Sequence, residues 1–358
     1  MLKLKKTKIH PLQYFKLYWS KNIFNKLIII IVSFVIVSIL IMFIIAQWYI
    51  NSQSRIPYTM GVTFVPDYAQ SLGLNPNQTL EALLKIGVKH LRLVSYWSDI
   101  EPRPNQYNFS ELDQEFRLAQ ASKAKVLLVV GLRQPRWPEC HPPNWISSEP
   151  TKLWEKQLYA FITKVVNRYK NNPSLSGYQV ENEYFLKGFG DCTNFSRQRL
   201  ITEYNLVHKL DPSHPIIITR SNNALGFPIG APTPQEYSIS IYRRVWDANV
   251  THRYLEYPFP PWYYAFLAGV QEIFQHRNMI IGEMQAEAWP PNGQTIPQTS
   301  LKEQNKSMNA TRLKNRFSFA KATGMRTVYF WGAEYWYYRL VKLHDPSLWN
   351  VASQEFKN

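Results

Sequence analysis

Two glutamates, Glu183 and Glu283, are the residues in this sequence best placed to do chemistry. Glu183 closes the run Ser176-Gly177-Tyr178-Gln179-Val180-Glu181-Asn182-Glu183, and Glu283 closes Asn278-Met279-Ile280-Ile281-Gly282-Glu283. Each run reads as a short buried strand that ends on a carboxylate. Such a carboxylate is costly to desolvate unless it is used or paired. Two of them on different strands meet the requirement for cleaving a glycosidic bond: one donates a proton, the other attacks the sugar or activates water.

The elements that must position them follow from apolar patterning. Strands are predicted over Tyr58–Phe64, Lys89–Ser95, Lys125–Gly131, Leu175–Glu183, Pro215–Arg220, Tyr237–Tyr242, Met279–Glu283 and Arg326–Trp331. Amphipathic stretches lie between them. Asn75 and Pro76 open one helix, and Ser110 is read as the cap of a second, over Glu111–Lys123. Ser300 with Glu303 forms a capping box for a helix that ends at Gly324. Alternating strands and helices demand a parallel sheet with right-handed crossovers. Eight such units predict a closed (β/α)8 barrel over residues 57–358. The alternative, a doubly wound open sheet, lacks a Gly-rich phosphate loop after any strand.

In a barrel, chemistry sits at the C-terminal ends of the strands. Those ends carry Arg92 on strand two, Asn182-Glu183 on four, Tyr242 on six, Glu283 on seven and Trp331 on eight. Arg92 and Tyr242 can hydrogen-bond a carboxylate and hold it ionised as a nucleophile. The other glutamate must keep a proton, and Asn182 offers an amide to a sugar hydroxyl. Glu287 competes with Glu283, but lies four residues further into the loop. Glu181 shares a strand face with Glu183 by the period of two. Trp97, Trp137, Trp145, Trp289 and Trp336 are candidate sugar platforms or packing residues.

On these residues the chain resembles the clan A retaining glycoside hydrolases, a superfamily of (β/α)8 barrels that includes families 5, 39 and 42. The resemblance implies Glu183 as acid/base beside Asn182, Glu283 as nucleophile, and Arg92, Tyr242 and Trp331 in support. The stretch from Glu101-Pro102 through Tyr107-Asn108-Phe109 to Leu112-Asp113 is also similar to one in these enzymes. Three positions depart from the pattern: Ser240-Ile241-Tyr242 has no histidine, strand three ends Gly131-Leu132-Arg133-Gln134, and Tyr184 follows the Asn-Glu pair where cellulases often have proline. These departures argue against a cellulase in the narrow sense. The implied activity is retaining β-glycoside hydrolysis, with no metal or organic cofactor. The competing class is an inactive barrel that binds glycans at the cell surface.

The first fifty residues form a separate unit. Leu27–Ala46 is apolar apart from Ser33 and Ser38, and seven lysines precede it with no acidic residue between 1 and 50. Twenty apolar residues match the roughly 30 Å hydrocarbon core. The lysines predict a basic cytoplasmic segment 1–26, a transmembrane helix 27–49, a linker 50–56 and a catalytic domain outside the cell. Trp48 and Tyr49 read as an interfacial belt. A cleaved signal peptide is the alternative, but Gln47-Trp48-Tyr49 lacks a small-residue cleavage site.

The formal charge of +16 falls to +9 once those lysines are set aside. With no basic cluster interleaved with aromatics beyond the anchor, nucleic-acid binding is excluded. The expected partners are a saccharide and, through residues 27–49, a lipid bilayer. Cys140 and Cys192, the only cysteines, fall in loops after strands three and four and form the expected disulfide. Sequons occur at Asn77, Asn194 and Asn249.

Overall fold

The computed structural model describes residues 23–146, 150–186, 188–192, 195–221 and 230–357. The basic segment up to Asn22 and the sequon at Asn194 lie outside the described residues. Ten strands are described: β1 (Thr59–Phe64), β2 (His90–Leu93), β3 (Lys125–Val130), β4 (Leu175–Val180), β5 (Ile216–Ser221), β6 (Glu236–Ile241), β7 (Arg244–Asp247), β8 (Arg253–Glu256), β9 (Asn278–Gln285) and β10 (Thr327–Trp331). Eight of them close a parallel barrel in the order β1-β10-β9-β6-β5-β4-β3-β2, while β7 and β8 form an antiparallel hairpin. The chain is a (β/α)8 barrel, with β9 and β10 as its seventh and eighth strands.

The apolar faces of the outer helices bury against the strands in one continuous core. Inside the barrel, Leu127, Ile217, Ile280 and Tyr329 form a separate apolar cluster. Asn75 caps the Pro76–Lys85 helix through Gln78 N, as its sequence predicts. Other boundaries differ. Ser110 is the first residue of its helix rather than the cap, and its N–H is satisfied by Asn108 Oδ1. Ser300 does cap through Glu303 N, but that helix stops at Ser307, and Asn309 caps a second helix over Ala310–Ala322. Short helices over Pro66–Ser71 and Trp97–Ile100, a longer one over Ala333–Lys342, and the β7–β8 hairpin were not predicted.

The N-terminal apolar helix spans Ile23–Gln53 and is long and apolar enough to cross a membrane. It continues through residues 50–53, which the sequence reading assigned to a linker. Its last third docks on the barrel, burying Ala46, Tyr49 and Gln53. Tyr49 therefore does not sit in an interfacial belt: its hydroxyl donates to Asn278 Oδ1 at 3.0 Å.

Candidate active site

The two glutamates reach one mouth by different backbone devices. Strand β4 ends at Val180, and Glu181 and Glu183 both take left-handed φ values, 59° and 41°. This strained turn is pinned by its own amides. Glu181 N donates to Val130 O, Asn182 N to Arg133 O, and Glu183 N to Thr219 Oγ1 at 2.7 Å. Such strain persists only where the surroundings over-determine it. On the seventh strand, the pairing of β6 with β9 passes from Ile239–Ile281 to Ser240–Glu283, so Gly282 is an extra residue in a bulge. A Cβ on Gly282 would lie 2.1 Å from Ser238 Oγ, so a larger residue there would have to displace the Ser238 hydroxyl. Bulges re-aim side chains, and this one sets Glu283.

Glu283 has a donor on each oxygen. Arg92 Nη1 donates to Oε1 at 2.9 Å and the Tyr242 hydroxyl donates to Oε2 at 2.6 Å. Arg92 is fully buried. It also donates to Gln179 Oε1 and to Asn182 Oδ1, both at 2.7 Å. One guanidinium thus ties the second, fourth and seventh barrel strands together.

Glu183 is held differently. Its Oε1 is buried with no hydrogen-bond partner among the described residues. Burial, then the charge of Glu283, push its carboxyl up to about 7, against a Ser240 hydrogen bond and the charges of Arg133 and Arg92. One carboxylate is therefore fully bonded and the other is biased to keep its proton. That contrast is what acid/base assignments are built on.

The remaining acids at this end are accounted for. Glu181 does not share a face with Glu183, because both lie past the end of the strand. Its carboxylate accepts from Leu132 N at 3.0 Å and Arg133 N at 2.8 Å, with Arg199 at 3.5 Å. Glu287 is clamped by Arg136 at 2.7 and 2.9 Å and accepts from Trp331 Nε1 at 2.8 Å. The Arg136 guanidinium lies between the rings of Tyr68 and Trp331. A Cβ on Gly332 would lie 2.4 Å from Glu287 Cβ, so glycine is required beside this clamp.

A cavity of about 750 Å³ opens over the pair, lined among others by Trp137, Glu183, Tyr242, Glu283, Trp289 and Trp331. Trp289 meets Tyr242 edge-on at 5.5 Å. Trp97 is not at this mouth. It is fully buried, stacks on Phe161, and donates through Nε1 to Glu101 Oε2 at 2.8 Å. Trp145 donates to Glu101 O and Trp336 to Ala286 O, so both pack instead of lining the cavity. Glu101, part of the stretch that resembles the family, has a structural job: it also accepts from Asn105 N.

Sequence reasoning missed Glu139, in the loop after β3. It is buried, accepts from Asn182 Nδ2 at 3.2 Å and lies 3.7 Å from Arg133 Nε. Burial, then the charges of Glu183 and Glu283, push its carboxyl well above the usual range. Its place follows from its neighbour Cys140, which is disulfide-bonded to Cys192 with the Cα atoms 5.4 Å apart. Asn182 thus has its carbonyl fixed by Arg92 and its amide fixed by Glu139.

No protein-family model matches the sequence, and no curated protein matches it. Solved structures do resemble it. The GH5_18 protein of Streptomyces cattleya, in complex with GlcNAc, aligns with TM-score 0.56 at 11% identity, over 84% of this chain and 80% of that one. The beta-galactosidase of the Antarctic haloarchaeon Halorubrum lacusprofundi gives 0.53 at 12% identity, over 84% of this chain, which spans 57% of that enzyme's length. A family 39 glycoside hydrolase of Bacteroides cellulosilyticus gives 0.51 at 16% identity, over 77% and 56% of the two chains. At these identities the likeness is one of fold: this chain has the (β/α)8 barrel that these glycoside hydrolases have.

Proposed function

We propose that this protein is a membrane-anchored, outward-facing retaining β-glycoside hydrolase. Glu283 attacks the anomeric carbon while Glu183 protonates the leaving oxygen. Glu183, now ionised, then takes a proton from the water that releases the glycosyl-enzyme. Asn182, its side chain held by Arg92 and Glu139, is assigned the sugar hydroxyl beside the reacting carbon. Trp137, Trp289 and Trp331 offer ring faces and edges to the sugar.

The observation that carries this reading is the opposed environment of the two carboxyls. Glu283 accepts a donor on each oxygen, while Glu183 is raised to about 7 and keeps one buried oxygen without a hydrogen-bond partner among the described residues. The fold supports it, since every structure compared above is of a glycoside hydrolase-type barrel. The anchor reading rests on the exposed apolar helix together with the seven lysines that precede its apolar run from Leu27.

The test is hydrolysis of a panel of aryl β-glycosides by the full chain, beside Glu183→Gln and Glu283→Gln. A 2-fluoro glycoside of the accepted sugar should label Glu283. Absence of turnover on every sugar, with glycan binding unchanged in both variants, would instead favour an inactive glycan-binding barrel.

A further inference from the structure

We propose that the mouth of the barrel faces the bilayer, and that the saccharide it takes is the sugar headgroup of a membrane lipid. The proposal rests on the anchor and hydrolase readings above and adds to them an orientation and a substrate class.

The direction of the N-terminal helix carries the argument. Helices of a (β/α)8 barrel run antiparallel to its strands. The Pro261–Gln275 helix therefore starts at the mouth end, after β6, and finishes at the opposite end, where β9 begins at Asn278. The Ile23–Gln53 helix lies alongside it in the same direction. Phe43 meets Trp262, in the first turn, edge-on at 5.9 Å. Ile45 and Tyr49 cover Gly269 in the middle, and the Tyr49 hydroxyl reaches Asn278. Gln53 Nε2 bonds Glu272, and Ile50 covers Gly324 in the turn that precedes β10. The docked part of the helix thus begins at the mouth, at Phe43, and ends at the closed end of the barrel.

What remains, Ile23 to Met42, continues past the rim with no residue buried. Its apolar part, Leu27 to Met42, reaches about 24 Å at ~1.5 Å per residue, so most of a hydrocarbon core of about 30 Å lies beyond the rim. The apolar stretch passes into the barrel contact at Phe43 with no polar spacer between them. A bilayer around the stretch must then lie at the level of the mouth, and cannot lie at the closed end.

The rim itself carries a second, independent observation. Trp137, at the tip of the loop after β3, is 63% exposed and meets Phe189 of the next loop edge-on. Val250, at the tip of the β7–β8 hairpin, is 80% exposed, with Arg253 exposed beside it. Exposed tryptophan and aliphatic tips next to arginine suit a lipid–water interface. A mouth pressed to that interface is supplied by headgroups at high local concentration.

The test places the full chain in phosphatidylcholine vesicles that contain a lipid with a nitroxide headgroup as quencher. Fluorophores are attached at Val250→Cys on the hairpin, or at Asn171→Cys in the turn before β4, which lies at the closed end. The native cysteines are bonded to each other and take no label. The Val250→Cys label should be quenched several-fold and the Asn171→Cys label left bright; equal quenching, or the reverse, overturns the orientation. In a second arm, a β-glycoside on a dialkylglycerol is placed either in the protein's own vesicles or in separate ones. Cleavage at least about tenfold faster in the shared vesicles supports the substrate class, whereas equal rates overturn it. Should neither this lipid nor a soluble aryl glycoside turn over while the Val250→Cys label is quenched, the hydrolase reading fails and the orientation is supported.

Discussion

Arg92 Nη1 and Glu283 Oε1 lie 2.9 Å apart in an ion pair whose two side chains are 0% and 3% exposed. A buried pair of this kind is strongly destabilising to break from one side, because the remaining charge is stranded. Arg92→Met should therefore cost about 3–5 kcal/mol in chemical denaturation. It should also lower kcat/KM on aryl β-glycosides by roughly 10²–10³, the scale for losing a preorganised donor. Arg92→Lys keeps the charge but cannot reach Gln179, Asn182 and Glu283 at once, and should recover stability more than rate.

The Glu183 carboxyl, raised from 4.5 to about 7, predicts the sign of two pH effects. The folded state holds a proton there that the unfolded chain releases near 4.5. Its stabilising contribution is fully present below pH 4.5 and is lost as pH rises through 7, a change on the order of 3 kcal/mol. Glu139 and Glu334 are raised as well, so the slope should be read as wild type minus Glu183→Gln. Denaturation midpoints measured from pH 4 to 8 check it; equal slopes in the two proteins refute the assignment.

The same proton sets the rate profile. With Glu183 as general acid, kcat/KM should fall above a pH of about 7, and Glu183→Gln should lack that limb. The variant should lose roughly 10²–10⁴ on glycosides with poor leaving groups and far less on dinitrophenyl glycosides, whose departure needs no proton. A loss independent of the leaving group would remove Glu183 from the acid role.

The barrel was legible because most of its strands are short apolar runs followed by an amphipathic stretch, the Pro- and Gly-rich passage from the fifth to the sixth being the exception, and that alternation admits few topologies. Arg92, Asn182, Glu183, Tyr242, Glu283 and Trp331 were legible because each lies at or just past a strand end, where barrels expose side chains. What sequence could not show depends on backbone turns and long-range partners. The period of two fails at Glu181 and Glu183 because both have left-handed φ. Trp97 follows its strand as a mouth residue would, yet a short helix turns it inward onto Glu101. Glu139 has no periodic signal, since a disulfide and a loop place it. Tyr49 looked interfacial because nothing in residues 27–49 reveals that Gly269 waits for them more than two hundred residues later.

The Cys140–Cys192 bond closes a segment with a sequence separation of 52 and ties down the loop that carries Trp137 and Glu139. Chain entropy gives such a loop about 4 kcal/mol at most, with 2–4 kcal/mol typical. Cys140→Ser with Cys192→Ser should lower unfolding stability within that range. Because Glu139 holds the Asn182 amide, KM should rise as well. Unchanged kinetics in the folded double variant would mean that the loop keeps its place without the bond.

Gly269 lets the N-terminal helix approach its neighbour, and a Cβ there would lie 2.9 Å from Ile45 Cγ2 and 3.2 Å from both Ile45 O and Tyr49 Cβ. Two of these three atoms belong to the helix itself or to the root of a side chain, so the whole helix would have to shift. Gly269→Leu should thus lift the helix off the barrel while leaving the strands and the glutamate pair intact. Arg55, exposed just past the helix end, then becomes a hinge. Tryptic cleavage at Arg55 should quicken several-fold at unchanged kcat on soluble glycosides. The preference for a glycoside in the protein's own vesicles should fall, because a hinged barrel no longer holds its mouth against the lipid. A variant that docks as before, with cleavage at Arg55 no faster, would show that the interface accommodates the side chain by moving Ile45 alone.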